Sequence, residues 1–74
     1  MPRTSNRQRP SPTRRRNAFF AGRFVVAPIY DGPAMRAGQR VKGPAIIEEP
    51  FTTVVLHPRQ EATLDRRGNY RIEL

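Results

Sequence analysis

The sequence contains no cysteine, so it holds neither a disulfide framework nor a thiolate metal site. Its one histidine, His57, stands beside a proline. A single imidazole falls short of the three or four nitrogen and sulfur ligands that transition metals take, so a solvated turn histidine is expected there. No apolar run approaches the roughly 18 residues that span a bilayer, and the N-terminus lacks an apolar stretch of the secretory kind. Gly22, Gly32, Gly38, Gly43 and Gly68 are scattered and none opens a long helix, so no phosphate-binding loop is present. Ser5 and Ser11 have no base near them in sequence, which leaves nucleophilic catalysis without support.

Acids are scarce as well, six against fourteen Lys and Arg, but the imbalance is local. Residues 1–16 carry Arg3, Arg7, Arg9, Arg14, Arg15 and Arg16 with no acid, whereas residues 17–74 carry eight basic and six acidic side chains. The body is therefore nearly neutral, and the net charge of +8 belongs mainly to the tail. A nucleic-acid binder would carry a basic face on the body too. The tail has three prolines, no aliphatic residue after Met1 and no periodicity, so residues 1–16 are expected to be disordered. Organelle transit peptides share its Arg-rich, acid-poor makeup, but it lacks their apolar face, and the cytoplasm is the expected compartment.

Residues 17–74 read as one small, mostly β module, a five-stranded barrel or sandwich. Phe24 to Tyr30 is a β-branched and aromatic run. Pro28 inside it cannot donate to a ladder, which predicts a sheet edge or a bend. Asp31-Gly32-Pro33 breaks the run, and Ala34 to Ala37 suits one helical turn capped by Asp31 and ended by Gly38. A short extended piece at 41–43 comes next, and after Pro44 the stretches Ala45 to Glu49 and Thr52 to Leu56 read as further strands. Glu61 to Asp65 and Tyr70 to Leu74 alternate polar and apolar, and Arg66-Arg67-Gly68-Asn69 between them predicts a tight C-terminal hairpin. A body of 58 residues lies near the size at which apolar burial and conformational entropy cancel, so help from a partner surface is expected.

The carboxylates point to structure rather than chemistry. Glu48 and Glu49 are adjacent on a strand and face opposite ways, so they cannot share a proton or a metal, and solvation at the strand end is expected. Asp31 before Gly-Pro reads as a cap or turn former.

In order along the chain stand Ala27-Pro28-Ile29-Tyr30-Asp31, Met35-Arg36-Ala37-Gly38, Gly43-Pro44-Ala45-Ile46-Ile47-Glu48-Glu49-Pro50, Thr52-Thr53-Val54-Val55 and Gly68-Asn69-Tyr70. This phrase structure resembles the C-terminal region of the ATP-dependent large subunit of the hydantoinase A, oxoprolinase, and acetone and acetophenone carboxylase family. The resemblance covers about residues 16–74, and "GPAIIEEP" followed by "TTVV" is its most specific part. Two positions depart from it. Gly32 stands where that family usually has an arginine. His57-Pro58-Arg59-Gln60 stands where it usually has Pro-Pro-Gly and an aromatic.

The resemblance implies a β module packed against actin-like nucleotide-binding domains. The family's reaction centre and its ATP site, with or without a metal, lie in the much longer N-terminal part, so no catalytic, cofactor or metal residue carries over to these positions. The expected role is a non-catalytic accessory subunit, or a detached C-terminal module, beside a larger ATP-binding subunit. Phe19, Phe20, Phe24 and Tyr30 are the candidate docking residues, being the large apolar side chains nearest the point where the larger chain would join. The alternative is a small nucleic-acid-binding β-barrel that grips phosphate through Arg14, Arg15 and Arg16.

Overall fold

The structure, a computed structural model, describes residues 9–74. Its strands are β1 (Arg14–Phe20), β2 (Arg23–Asp31), β3 (Arg40–Lys42), β4 (Ala45–Glu48), β5 (Thr53–Leu56), β6 (Glu61–Leu64) and β7 (Tyr70–Glu73). They form a four-stranded sheet in the order β1-β2-β4-β5 and a three-stranded sheet in the order β3-β6-β7. The arrangement is sandwich-like, and neither sheet closes into a barrel. Seven strands replace the five expected from sequence.

The first correction falls on the tail. Arg14, Arg15 and Arg16, expected to be disordered, open β1, while residues 1–8 lie outside the described residues. Three arginines in a row have little strand preference of their own, but context overrides propensity in sheets. Here the context is seven consecutive antiparallel pairs with β2, from Arg14↔Ile29 to Phe20↔Arg23. The two strands are joined through Ala21 and Gly22, at φ 50° and 81°. Positive φ at both central residues is what a two-residue hairpin with the favoured twist requires.

β2 runs through Pro28 without a break, and Pro28 lies where the edge of β2 is still open on the side away from β1, as expected, although farther along β2 is an inner strand. β2 pairs with β4 only over Ile29–Asp31, in parallel, starting one residue after the proline. No ladder bond to β4 is asked of Pro28. The expected helical turn is also shifted and shortened. A 3-10 turn spans Gly32–Ala34, closed by the Met35 amide donating to the Gly32 carbonyl (2.9 Å), and Asp31 makes no side-chain cap bond. Pro33 at its start suits such a turn, since the ring fixes φ and no donor is needed there.

The C-terminal hairpin forms as predicted, but its alternation buries a face only on β6, at Ala62 and Leu64; on β7 Tyr70 is half-buried and Ile72 is exposed. Leu64 pairs with Tyr70 and Ala62 with Ile72, and Gly68 takes φ 86° in the turn. Asp65 organises that turn: its Oδ1 accepts from the Arg67 amide (2.9 Å) and the Asn69 amide (2.8 Å).

Apolar side chains segregate into two clusters on opposite faces of the larger sheet. Met35, Val41, Ala45, Ile47, Leu56, Ala62 and Leu64 pack between the sheets, with Tyr30, Val54 and Tyr70 against them. Phe20, Ala27, Ile29 and Ile46 form the other, with Ala18 and Val25 against them. Alternation along β4 sends Ile47 to the first cluster and Ile46 to the second.

Candidate functional site

The four candidate docking residues lie together along the β1–β2 hairpin, and the pleat divides them. Phe19 and Phe20 are neighbours in a strand, so they face opposite ways. Phe20 is 3% exposed and belongs to the second core cluster, with its ring edge-on to His57 at 5.1 Å. It is a core residue, and the sequence-based assignment to a docking surface is corrected. Phe19 and Phe24 stand opposite each other on the other face, 61% and 72% exposed, their rings 4.9 Å apart at 67°. Val26, two residues along, is 60% exposed and joins them, a residue that sequence reasoning missed. Tyr30 is half-buried against the cluster between the sheets. Burial raises its phenol above the ordinary value, while Arg15 and Arg9 pull it back.

The three arginines of the alternative reading do not converge. Alternation along β1 sends Arg15 to one face and Arg14 and Arg16 to the other. Arg14 is also engaged, its guanidinium donating to Glu48 Oε2 at 2.8 Å. Elsewhere, Arg9, Arg40, Lys42 and Glu61 line a shallow recess in which a carboxylate partly offsets the cations.

Glu48 and Glu49 each have a protein partner rather than water alone, which corrects the expectation of strand-end solvation for them. Glu48 is held by Arg14, whereas the Tyr70 hydroxyl donates to Glu49 Oε2 across the gap between the sheets. Burial first, and then the Glu49 carboxylate as acceptor and as charge, push the Tyr70 phenol far above its usual range. Asp65 is held below the usual carboxylate range, chiefly by the Asn69 amide and further by the Arg67 amide. His57 is exposed in its turn, as expected. Among the described residues no group of three or more His, Cys, Asp or Glu side chains is placed to hold a metal. Nor is any helix there long and apolar enough to cross a membrane.

The geometry is that of a small two-sheet module with a bare apolar strip on its first hairpin. Residues 3–72 match the hydantoinase/oxoprolinase C-terminal domain family. The chain is 32% identical over 65 residues to an uncharacterised protein of Methanocaldococcus jannaschii, covering 88% of itself and 10% of that protein. It is 42% identical over 45 residues to the acetophenone carboxylase gamma subunit of Aromatoleum aromaticum, covering 61% of itself and 6% of the subunit. Among solved structures it resembles acetone carboxylase in a nucleotide-free form, from work on ATP-dependent acetone carboxylation. That likeness has a TM-score of 0.79 at 30% identity and covers 88% of this chain and 10% of that one. The chain thus spans a tenth or less of the length of the curated relatives it matches.

Proposed function

We propose, since the chain belongs to the hydantoinase/oxoprolinase C-terminal domain family, that it acts as a non-catalytic module of an ATP-dependent hydantoinase- or carboxylase-type assembly. It is either a dedicated accessory subunit or a detached C-terminal domain, and it completes the surface of a larger subunit beside the ATP-binding domains. The observation that carries this reading is the extent of the match. A TM-score of 0.79 over 88% of the chain falls within a tenth of a much longer carboxylase polypeptide. The other nine-tenths is where nucleotide and substrate chemistry has room to reside.

The polar groups of the module fit the same reading. Glu48 is engaged by Arg14, Glu49 by Tyr70 and Asp65 by its own turn, so these carboxylates serve the fold. General acid–base work needs a group whose proton is free to leave for a substrate. The module itself binds no cofactor in the proposed role, and ATP, with or without a metal, belongs to the partner.

Affinity purification of the tagged chain from its host tests the reading. The expected co-purifying species is a large ATP-dependent subunit of this family, and the chain alone should neither hydrolyse ATP nor open hydantoins. Recovery of nucleic acid without any protein partner, or ATP turnover that survives repurification, would overturn it.

A further inference from the structure

The apolar stripe of β2 outruns the sheet that covers it. Phe24, Val26, Pro28 and Tyr30 alternate along one face of that strand. At the Tyr30 end the face is roofed by the cluster between the sheets, where Val41, Ala62 and Leu64 of the smaller sheet meet Ile47. Towards the hairpin tip the roof stops, and Phe24 and Val26 remain 72% and 60% exposed. Phe19 extends the bare strip across β1. Cross-strand aromatic pairs do stabilise hairpins, and that accounts for Phe19 beside Phe24. It does not account for Val26, whose partner across the ladder is Asn17. Two mostly exposed rings and a valine amount to roughly 300–400 Å² of contiguous apolar surface, the size of patch that on a monomer is often functional.

The edge beside this strip is unfinished too. β4 pairs with β2 only from Ile29 onward, so among the described residues Arg23–Pro28 has a ladder partner on one side alone. In a two-residue hairpin the pair flanking the turn is hydrogen-bonded, here Phe20↔Arg23, and alternate pairs after it are not. The amides of Phe24 and Val26 therefore point away from β1, towards the open side. An extended segment laid there would take those donors and cover the strip.

We infer that the outer face of the β1–β2 hairpin, Phe19, Phe24 and Val26 with the open edge of β2, is the surface on which this module docks to the body of its family's large ATP-dependent polypeptide. The inference rests on the proposed function and adds the surface to it. The occupant is argued from length: the matched module is 10% of the acetone carboxylase chain, so in such a relative most of the protein stands outside these two sheets. For a C-terminal domain the preceding chain leads directly into β1, the first described strand; it arrives at the Arg14 end, and the same strand carries Phe19 five residues on, beside the turn. Charge narrows the partner further. Arg15, Arg16 and Arg23 are exposed around the hairpin, while Glu48, the acid nearest β1, is already held by Arg14. The matching surface on the large polypeptide is an apolar extended segment with carboxylates at its margin.

The test is site-specific photo-crosslinking in the host, using the full tagged chain with benzoylphenylalanine in place of Phe24. A second form carries it in place of Phe51, which is 99% exposed but lies between β4 and β5. The expected result is an adduct from position 24, none from position 51, with mass spectrometry identifying the large ATP-dependent subunit. The double variant Phe19→Ser, Phe24→Ser should lower the amount of that subunit co-purified by roughly tenfold or more, as loss of an aromatic anchor does. Phe51→Ser should leave it unchanged. If the unaltered chain brings down the large subunit while position 24 gives no adduct to it, the docking face is wrong and the functional reading stands. An adduct to a second copy of this chain overturns the proposal in favour of a dimer. If the unaltered chain recovers no large subunit, the functional reading falls and takes the docking face with it.

Discussion

Phe19 and Phe20 are adjacent phenylalanines, and the structure gives them opposite duties. Truncating Phe20 removes a ring that is 3% exposed and packed with Ala27, Ile29 and Ile46. Losses for buried Phe→Ala run at about 3–5 kcal/mol, the transfer of the ring plus the cavity it leaves. A domain of this length holds only about 3–10 kcal/mol in total. Phe20→Ala should therefore consume a third or more of the stability of the free module. At about 4–8 °C per kcal/mol for so small a domain, the melting temperature should fall by roughly 15 °C or more.

Phe24→Ala gives the contrast. With 72% of the residue already in water, only about a quarter of its transfer energy is lost, together with an edge contact to Phe19. The sum is about 0.5–1 kcal/mol. Thermal and urea unfolding followed by circular dichroism would measure both variants, with Phe20→Leu as an intermediate that keeps the apolar volume if the alanine variant does not fold. Equal losses at the two positions, or a larger one at Phe24, would refute the assignment of faces on which the docking inference depends.

Gly68→Val places a β-branched side chain at φ 86°, and a loss of about 1–3 kcal/mol is expected; a variant that melts like the parent would contradict the turn. Tyr70→Phe removes the donor to Glu49 and should cost about 1–3 kcal/mol, read in the same unfolding assays. In the unfolded chain a phenol ionises near pH 10, about its free value. Tyr70 stays protonated in the fold well beyond that, so stability should fall as pH rises past 10, and absorbance titration should show one phenol ionising only on unfolding. Asp65 is the opposite case. Its native carboxylate is favoured, so the stability it gives is present above the ordinary carboxylate pKa and lost as pH falls below it, and Asp65→Asn should flatten that acid limb. Deleting residues 1–16 removes three of the seven β1 pairs, so the truncated chain should melt measurably lower than the full one; identical melts would return those arginines to a dispensable tail.

Where β-branched residues run together or alternate cleanly, the strands were readable, as in β2 and β4 to β7. β1 was not, because its preference for the strand comes from β2 and not from Arg14-Arg15-Arg16-Asn17 themselves. Ala21-Gly22 gave only half of the usual hairpin signal, since Asn or Asp is the common first residue of such turns. Missing β1 hid the alternation that separates Phe19 from Phe20, so both were assigned to docking. Val26 was hidden in another way. Its run of apolar neighbours looks the same whether or not a second sheet covers it, and only the extent of the smaller sheet decides. The Glu49–Tyr70 contact joins two sheets across 21 residues, and no local pattern encodes it.

The stretch that most strongly marks the family, Gly43 to Glu49, has a structural task at most of its positions. Ala45 and Ile47 fill the cluster between the sheets, and Ile46 fills the one behind. Glu48 takes Arg14 and Glu49 takes Tyr70. A side chain at Gly43 would run into the His57 carbonyl, so the backbone can pass there from the smaller sheet to the larger only without a Cβ. β4 is thus the strand through which both cores and both sheets are tied. The sequence resemblance read from it therefore reports on how the module is built. The surface proposed for docking lies elsewhere, on a hairpin whose strands read as arginines and phenylalanines, and whose apolar face the smaller sheet leaves bare.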